Sequence, residues 1–325
     1  MVKRLGLFVD NVNLVKKGFK WQEPMMRRMA ALLYAAQDKA VDNAAIRGSY
    51  DMIKANTGLF SMFRGNTTLA VATMLSLDHN GAQRLSDTLR VYDLLKEARF
   101  WGSDYLVVAA WQIASNTSAE HYNNTVLRMR DYYDGMKALH PILTGSDDYI
   151  FAAMLGLSDV NPAVGVARME RLYRELKPDF RSGNGVQGLA QVLVLGDEAA
   201  LSRDRARALK ELLRASRLKM ESQQTIPTFG ILALLPGTPE EIVRDIHEVF
   251  WYLRPQKGFG GWSVTKQELL LYASALVAYE RTGELKNDLV TTALCTSITN
   301  ILIAQQAAMI AAVSASSAAA ASSAT

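Results

Sequence analysis

The feature that most limits how this chain can fold is a turn-and-helix pattern that returns about every forty residues from residue 60 onward. Small polar turns stand at Phe63–Asn66, Trp101–Asp104, Thr144–Asp147, Arg181–Asn184, Thr225–Pro227 and Gly260–Ser263. With Gly65, Gly102, Gly145, Gly183, Ile226 and Gly261 as markers, the steps are 37, 43, 38, 43 and 35 residues. A period of this size means one supersecondary unit that buries its apolar face only by stacking on its neighbours. Each unit opens with an apolar, Ala- and Leu-rich helix, such as 69–77, 106–114, 150–157 or 186–195. A helix apolar almost all round belongs between neighbours. A charged helix follows it and should face water. Three of these charged helices share a Tyr-x-x-Leu/Met-Lys pattern at Tyr92, Tyr133 and Tyr173, with the tyrosines 41 and 40 residues apart.

The turns carry the chemistry of helix starts. Asn66, Ser103 or Asp104, Asp147 and Asn184 offer side-chain oxygens to free backbone N–H groups. Thr238-Pro-Glu-Glu241 and Thr265-Lys-Gln-Glu268 read as capping boxes. No run alternates as a strand would. Only 8 prolines interrupt 325 residues, which suits long helices. The expected fold is therefore all-α: a solenoid, or a toroid if its ends meet, of stacked helical hairpins. Residues 1–60 predict three helices at about 5–17, 25–40 and 44–55, forming an N-terminal cap. Residues 61–288 predict five to six hairpins. Residues 289–325 carry no charge and predict a helix followed by an Ala/Ser tail, the whole chain being one continuous domain. A membrane span is the other reading of that end. It is disfavoured because Ala and Ser gain little from lipid and Gln305-Gln306 sit in mid-segment.

Composition closes several doors. Cys295 is the one cysteine, so an intrachain disulfide and a cysteine zinc site are both excluded. The formal charge of +4 is local, since residues 1–54 hold ten Lys/Arg against five Asp/Glu. Lys16, Lys17, Arg27 and Arg28 are thus candidates for an anionic ligand, although a solvated helix face explains them as well. No secretory signal is recognisable, and a cytoplasmic location is expected. Neither nucleic acid nor a membrane is expected as a partner.

Two turns merit a chemical reading. His140-Pro-Ile-Leu-Thr144-Gly-Ser-Asp147-Asp148 brings an imidazole and two adjacent carboxylates to one connection. Such a set could hold a divalent metal or move protons. The structural reading makes Asp147 a cap, Asp148 a partner of the helix dipole, and His140 a cation at a helix end. No other cofactor is evident. Lys257–Trp262 resembles the glycine–aromatic turns of α/α-barrel prenyltransferases and terpenoid cyclases. The likeness covers six residues, without the Asp-rich motif or zinc cysteines of those enzymes, and a turn packed by Phe259 and Trp262 accounts for it. The nucleotide-binding glycine loops and the Gly-x-Ser-x-Gly elbow are absent from the sequence. Phe63, Phe100-Trp101 and Phe180 recur ahead of the turns and read as core plugs.

A further set of residues carries a family resemblance. These are Leu95–Phe100 leading to Tyr105-Leu106, then His140-Pro141 with Thr144 and Asp147-Asp148, and then Gly183-Asn184-Gly-Val-Gln187-Gly-Leu189. Together they resemble the domain-of-unknown-function family numbered four thousand and three, across nearly the whole chain. The resemblance implies a bacterial, cytoplasmic, full-length single-domain protein and assigns no activity. Stacked hairpins present a concave surface. The leading functional expectation is therefore a binding scaffold for a protein or peptide. The alternatives are a metal-dependent enzyme or metal-binding protein at the His140/Asp147/Asp148 turn, and an anion binder at the basic N-terminal region.

Overall fold

The computed structural model describes residues 2–196 and 199–283. The expected C-terminal helix and tail at 289–325, and Cys295, lie outside the described residues. Within them the protein is all-helical, with no strand. The helices are α1 (Val2–Gly18), α2 (Pro24–Ala36), α3 (Asn43–Asn56), α4 (Thr68–Leu77), α5 (Gly81–Glu97), α6 (Asp104–Asn116) and α7 (Tyr122–Leu139). They continue as α8 (Tyr149–Leu157), α9 (Pro162–Leu176), α10 (Gly183–Leu193), α11 (Ala199–Ala215), α12 (Thr228–Leu234), α13 (Pro239–Leu253) and α14 (Lys266–Gly283).

The even-numbered helices are the apolar ones. In α4, α6, α8 and α10 almost every side chain is buried. The odd-numbered helices bury one stripe and turn Lys, Arg, Asp and Glu to water. Packing sorts them into two layers, because even helices touch even neighbours and odd helices touch odd ones. Each odd helix also packs extensively on the even helix that follows it, in the pairs α1·α2, α3·α4, α5·α6, α7·α8, α9·α10, α11·α12 and α13·α14. The sequence frame, which opened each unit with the apolar helix, is therefore one helix out of step with the packing. Among the first helices, α1 and α2 pair with each other, and α2 packs on α4.

Helices from the two ends of the described chain meet. α2 packs on α14 and α1 on α13. Arg4 pairs with Glu280 at 2.7 Å, and Arg28 Nε donates to Glu268 Oε1 at 2.9 Å. Phe8 packs on Phe259 and Tyr272, with ring centroids 5.2 and 5.5 Å apart.

Two side-chain devices hold the hairpins in line. The first is an aromatic residue just after an odd helix, lying under a side chain of the next odd helix. Phe19 sits under Arg47, Phe63 against Tyr92, Phe100 against Tyr133, His140 against Tyr173, and Phe180 under Lys210. Phe259, after α13, meets Phe8 of α1 in the same way. Phe63, Phe100 and Phe180 are the core plugs expected, but Trp101 points outward. The second device is a polar side chain of an odd helix that satisfies carbonyls at the C-terminal end of its paired even helix. Arg84 reaches Ala114, Arg128 reaches Gly156, Ser158 and Val160, and Arg205 reaches Ala233 and Leu235. A guanidinium suits that end because the last carbonyls lack partners and carry the negative end of the dipole. In the first hairpin the buried Asn11 does this for Ala31 and Lys39.

Local chemistry explains the boundaries. Helix α2 stops at Ala36 rather than continuing to Ala40, because Asp38 takes a left-handed φ of 54° and the N–H groups of residues 37–39 bond back to Tyr34 and Ala35. Ser103, one of the two candidates at its turn, caps α6, and Ser182 caps α10 in place of Asn184. Thr238 and Glu241 form the expected box. Thr265 caps Glu268 N, but the Glu268 carboxylate goes to Arg28.

Helices α7 and α8 cross at Gly156. A Cβ there would stand 3.0 Å from Met129 N and Thr125 O, both backbone atoms. Gly156→Ala should therefore lower stability by about 1–2 kcal/mol, overpacking outweighing the gain in helix propensity. Gly48→Ala, where a Cβ meets nothing within 4 Å, should raise it by about 0.5–1 kcal/mol. Denaturant melts of the two variants check the pair.

Candidate functional site

The 140–148 connection joins α7 to α8, and the structure separates its three candidate ligands. His140 turns back to the odd-helix layer, where Nε2 lies 2.7 Å from Glu170 Oε2 and the ring packs on Tyr173 at 4.4 Å. Asp147 Oδ2 accepts from Asn184 Nδ2 at 3.1 Å. Asp148 is buried. Its Oδ2 accepts from Gly145 N at 2.8 Å, and its Oδ1 accepts from Gln187 Nε2 at 3.0 Å and Gln191 Nε2 at 2.6 Å. Thr144, also buried, accepts from Gln187 at 3.1 Å. No group of three His, Cys, Asp or Glu side chains with metal-holding geometry occurs among the described residues.

What the turn builds is a buried carboxyl held by two glutamine amides. Burial, and then the charge of Asp147, push the Asp148 carboxyl up to about 6 from an ordinary 3.8. Tyr133, whose charged and polar neighbours are Tyr149, Asp148 and Arg130, is raised to about 12, chiefly by burial. Gln187 Oε1 and Gln191 Oε1 are buried and face no donor among the described residues. Sequence reasoning gave these glutamines no role: Gln187 stood only among the residues of the family resemblance, and Gln191 was not singled out. Their signal was present, since two amides four residues apart share one face of a helix whose other residues are apolar.

The basic N-terminal candidates do not form one patch. Lys16 and Lys17 are exposed at the end of α1. Arg27 is partly buried and donates to Lys20 O, and burial followed by the Arg28 charge lowers its pKa. Arg28 is buried against Glu268 and Ser263 O. Burial opposes its charge, yet Tyr272 and Glu268 together hold it above the usual range. It belongs to the packing between the first and last hairpins.

One recess was not visible in the sequence. A cavity of about 730 Å³ opens where the C-terminal ends of α2, α4 and α6 and the α14 side chain Tyr279 come together. Leu33, Ala36, Met74, Leu77, Trp111 and Tyr279 make its apolar walls. Gln37, Lys39, Asp78, His79, Asn80, Arg84 and Ser115 complete the lining. Arg84 is engaged by Asp78 and by Ala114 O, so the basic side chains left at the opening are Lys39 and His79. The volume lies in the ~300–1,000 Å³ range of ligand pockets. These residues come from four separate stretches with no shared motif.

The fold and this recess define an all-helical protein with a binding-sized cavity at one end. Residues 11–307 match the family described as "Protein of unknown function (DUF4003)", and the chain belongs to that family. No curated protein and no solved structure matches it.

Proposed function

We propose that the chain is a helical-repeat binding protein whose seven described hairpins close into a ring, and that it takes an apolar segment of a peptide or protein in the cavity at one mouth. Closure is supported by the Arg4–Glu280 and Arg28–Glu268 pairs and by the Phe8–Phe259 contact, which repeats the step seen between successive hairpins. A reducing, cytoplasmic setting fits a chain with one cysteine.

The observation that carries the binding role is the apolar floor of the 730 Å³ cavity under a polar rim. Burying one Leu-sized side chain there contributes about 1.5–3 kcal/mol. The rim amides of Gln37 and Asn80 suit a peptide backbone. In this reading the His140 turn is part of the scaffold and the cavity is the working site.

Selection from a random-peptide phage library on the purified full chain tests it. The enriched peptides should carry large apolar residues. Leu77→Glu, at a half-buried position in the wall, should weaken their binding at least about tenfold while the protein keeps its melting temperature. Failure to enrich any such peptide, or equal binding by the variant, would remove the cavity as the site.

A further inference from the structure

The seven connections from an odd to an even helix lie side by side at the end away from the cavity. Hydrogen bonds tie five of them to the N-terminal part of a neighbouring even helix: Thr67 to Asp104, Trp101 N to Tyr149 Oη, Asp147 to Asn184, Thr225 to Gln267, and Ser263 O to Arg28. Four of them carry an apolar or aromatic side chain that stands free in water, and a fifth carries two. Trp21, Phe60, Trp101, Ile142 and Trp262 are between 80% and 106% exposed, and Leu59 adjoins Phe60. Three of the five tryptophans of the chain are among them. Nothing in the fold requires these residues outside, because the plugs beside them, such as Phe19, Phe63, Phe100 and Phe259, already fill the core.

Charge follows the same division. The seven loops contain nine Lys/Arg and five Asp/Glu, whereas the described residues of the loops at the opposite end contain one and five. The last turns of α1, α3, α5 and α7 add Lys16, Lys17, Lys54, Lys96 and Lys137 at the apolar-tipped end. Lys20 lies over the Trp21 ring at 5.0 Å.

We propose that this end docks on an anionic lipid bilayer surface, the tips of the loops entering the interface and the lysines facing the headgroups. A protein partner engages anchors clustered in one packed patch. Here the anchors are single and separated, one loop from the next, which suits a fluid, flat partner. Indole and phenyl rings with cations between them have the chemistry that the headgroup region favours. Docking of this kind needs no spanning segment, and no helix among the described residues is long and apolar enough to cross a membrane. The inference is independent of the cavity at the other end.

The test is flotation of the full chain with vesicles of phosphatidylcholine alone, and with phosphatidylglycerol added. The protein should float with the anionic vesicles, less so as salt rises, with a blue shift of tryptophan emission. The fourfold variant Trp21→Ser/Phe60→Ser/Trp101→Ser/Trp262→Ser changes only exposed side chains and should keep the wild-type melting temperature. It should lose affinity at least about tenfold. Two results would overturn the proposal: no flotation of the wild type, including the case where the tips instead drive self-association, or equal flotation of the folded variant.

Discussion

Arg28→Ala should cost about 3–5 kcal/mol of folding stability, far more than loss of an ordinary ion pair on this protein. Arg28 and Glu268 are both buried, and 240 positions of chain separate them. The guanidinium donates to Glu268 Oε1 at 2.9 Å and to Ser263 O at 3.2 Å, and Tyr272 Oη donates to the same carboxylate oxygen at 2.8 Å. Truncation at Arg28 leaves the buried Glu268 carboxylate with no counterion, and that is the costly step. The exposed Arg130–Asp134 pair on α7 is the comparison, since a pair in water contributes about 0–1 kcal/mol. Replacing the whole group by Arg28→Met, Glu268→Leu and Tyr272→Phe should recover most of the loss, because apolar residues of similar size carry no desolvation penalty. Urea unfolding of the three proteins measures this. A cost below about 1 kcal/mol for Arg28→Ala would mean that the first and last hairpins do not meet in solution.

That pair also shows where sequence reasoning stops. Helical periodicity made the all-α class legible, because an apolar helix must be covered and a charged one must be wet. The Thr238 box was legible because both of its partners lie within four residues. Arg28 read as a candidate anion ligand because its true partner lies at the far end of the chain, and no local pattern encodes that distance. Trp101 and Trp262 read as packing residues because periodicity does not decide which of two neighbouring aromatics turns inward. In both turns the phenylalanine is buried and the tryptophan is out. His140 is the instructive case. Phe63, Phe100, His140 and Phe180 stand 37, 40 and 40 residues apart, so the imidazole occupies an aromatic position of the repeating pattern. The spacing held that information, while the local residues offered only a cation at a helix end or a ligand beside two carboxylates. The cavity was illegible for another reason. Its walls come from the ends of helices far apart in sequence, each apolar residue being unremarkable in its own helix.

The second large effect concerns Asp148 and has a definite sign. Its carboxyl ionises near the ordinary 3.8 in the unfolded chain but only at about 6 in the folded one. Between those values the folded protein holds a proton that the unfolded chain has released. Stability must therefore fall as pH rises through this window, opposite to the usual behaviour of a salt-bridged carboxylate. Roughly two units of separation correspond to about 3 kcal/mol. Asp148→Asn keeps the shape and cannot ionise, so the stability of the wild type relative to this variant should decline by about that amount from pH 4 to pH 7 and be level outside the window. Asp147→Asn separates the two causes. Removing the neighbouring charge should shrink the decline but leave the larger part, since burial comes first among the causes. The two glutamines make the site tolerant of either state, because an amide can present its N–H groups to a carboxylate or, turned over, its oxygen to a carboxylic acid. Gln191→Leu should steepen the decline, because the ionised form then loses a donor at 2.6 Å that helps hold the pKa down. A flat difference between wild type and Asp148→Asn across this range would show that Asp148 stays ionised in the fold and that its surroundings are wetter than the packing of α8 and α10 implies.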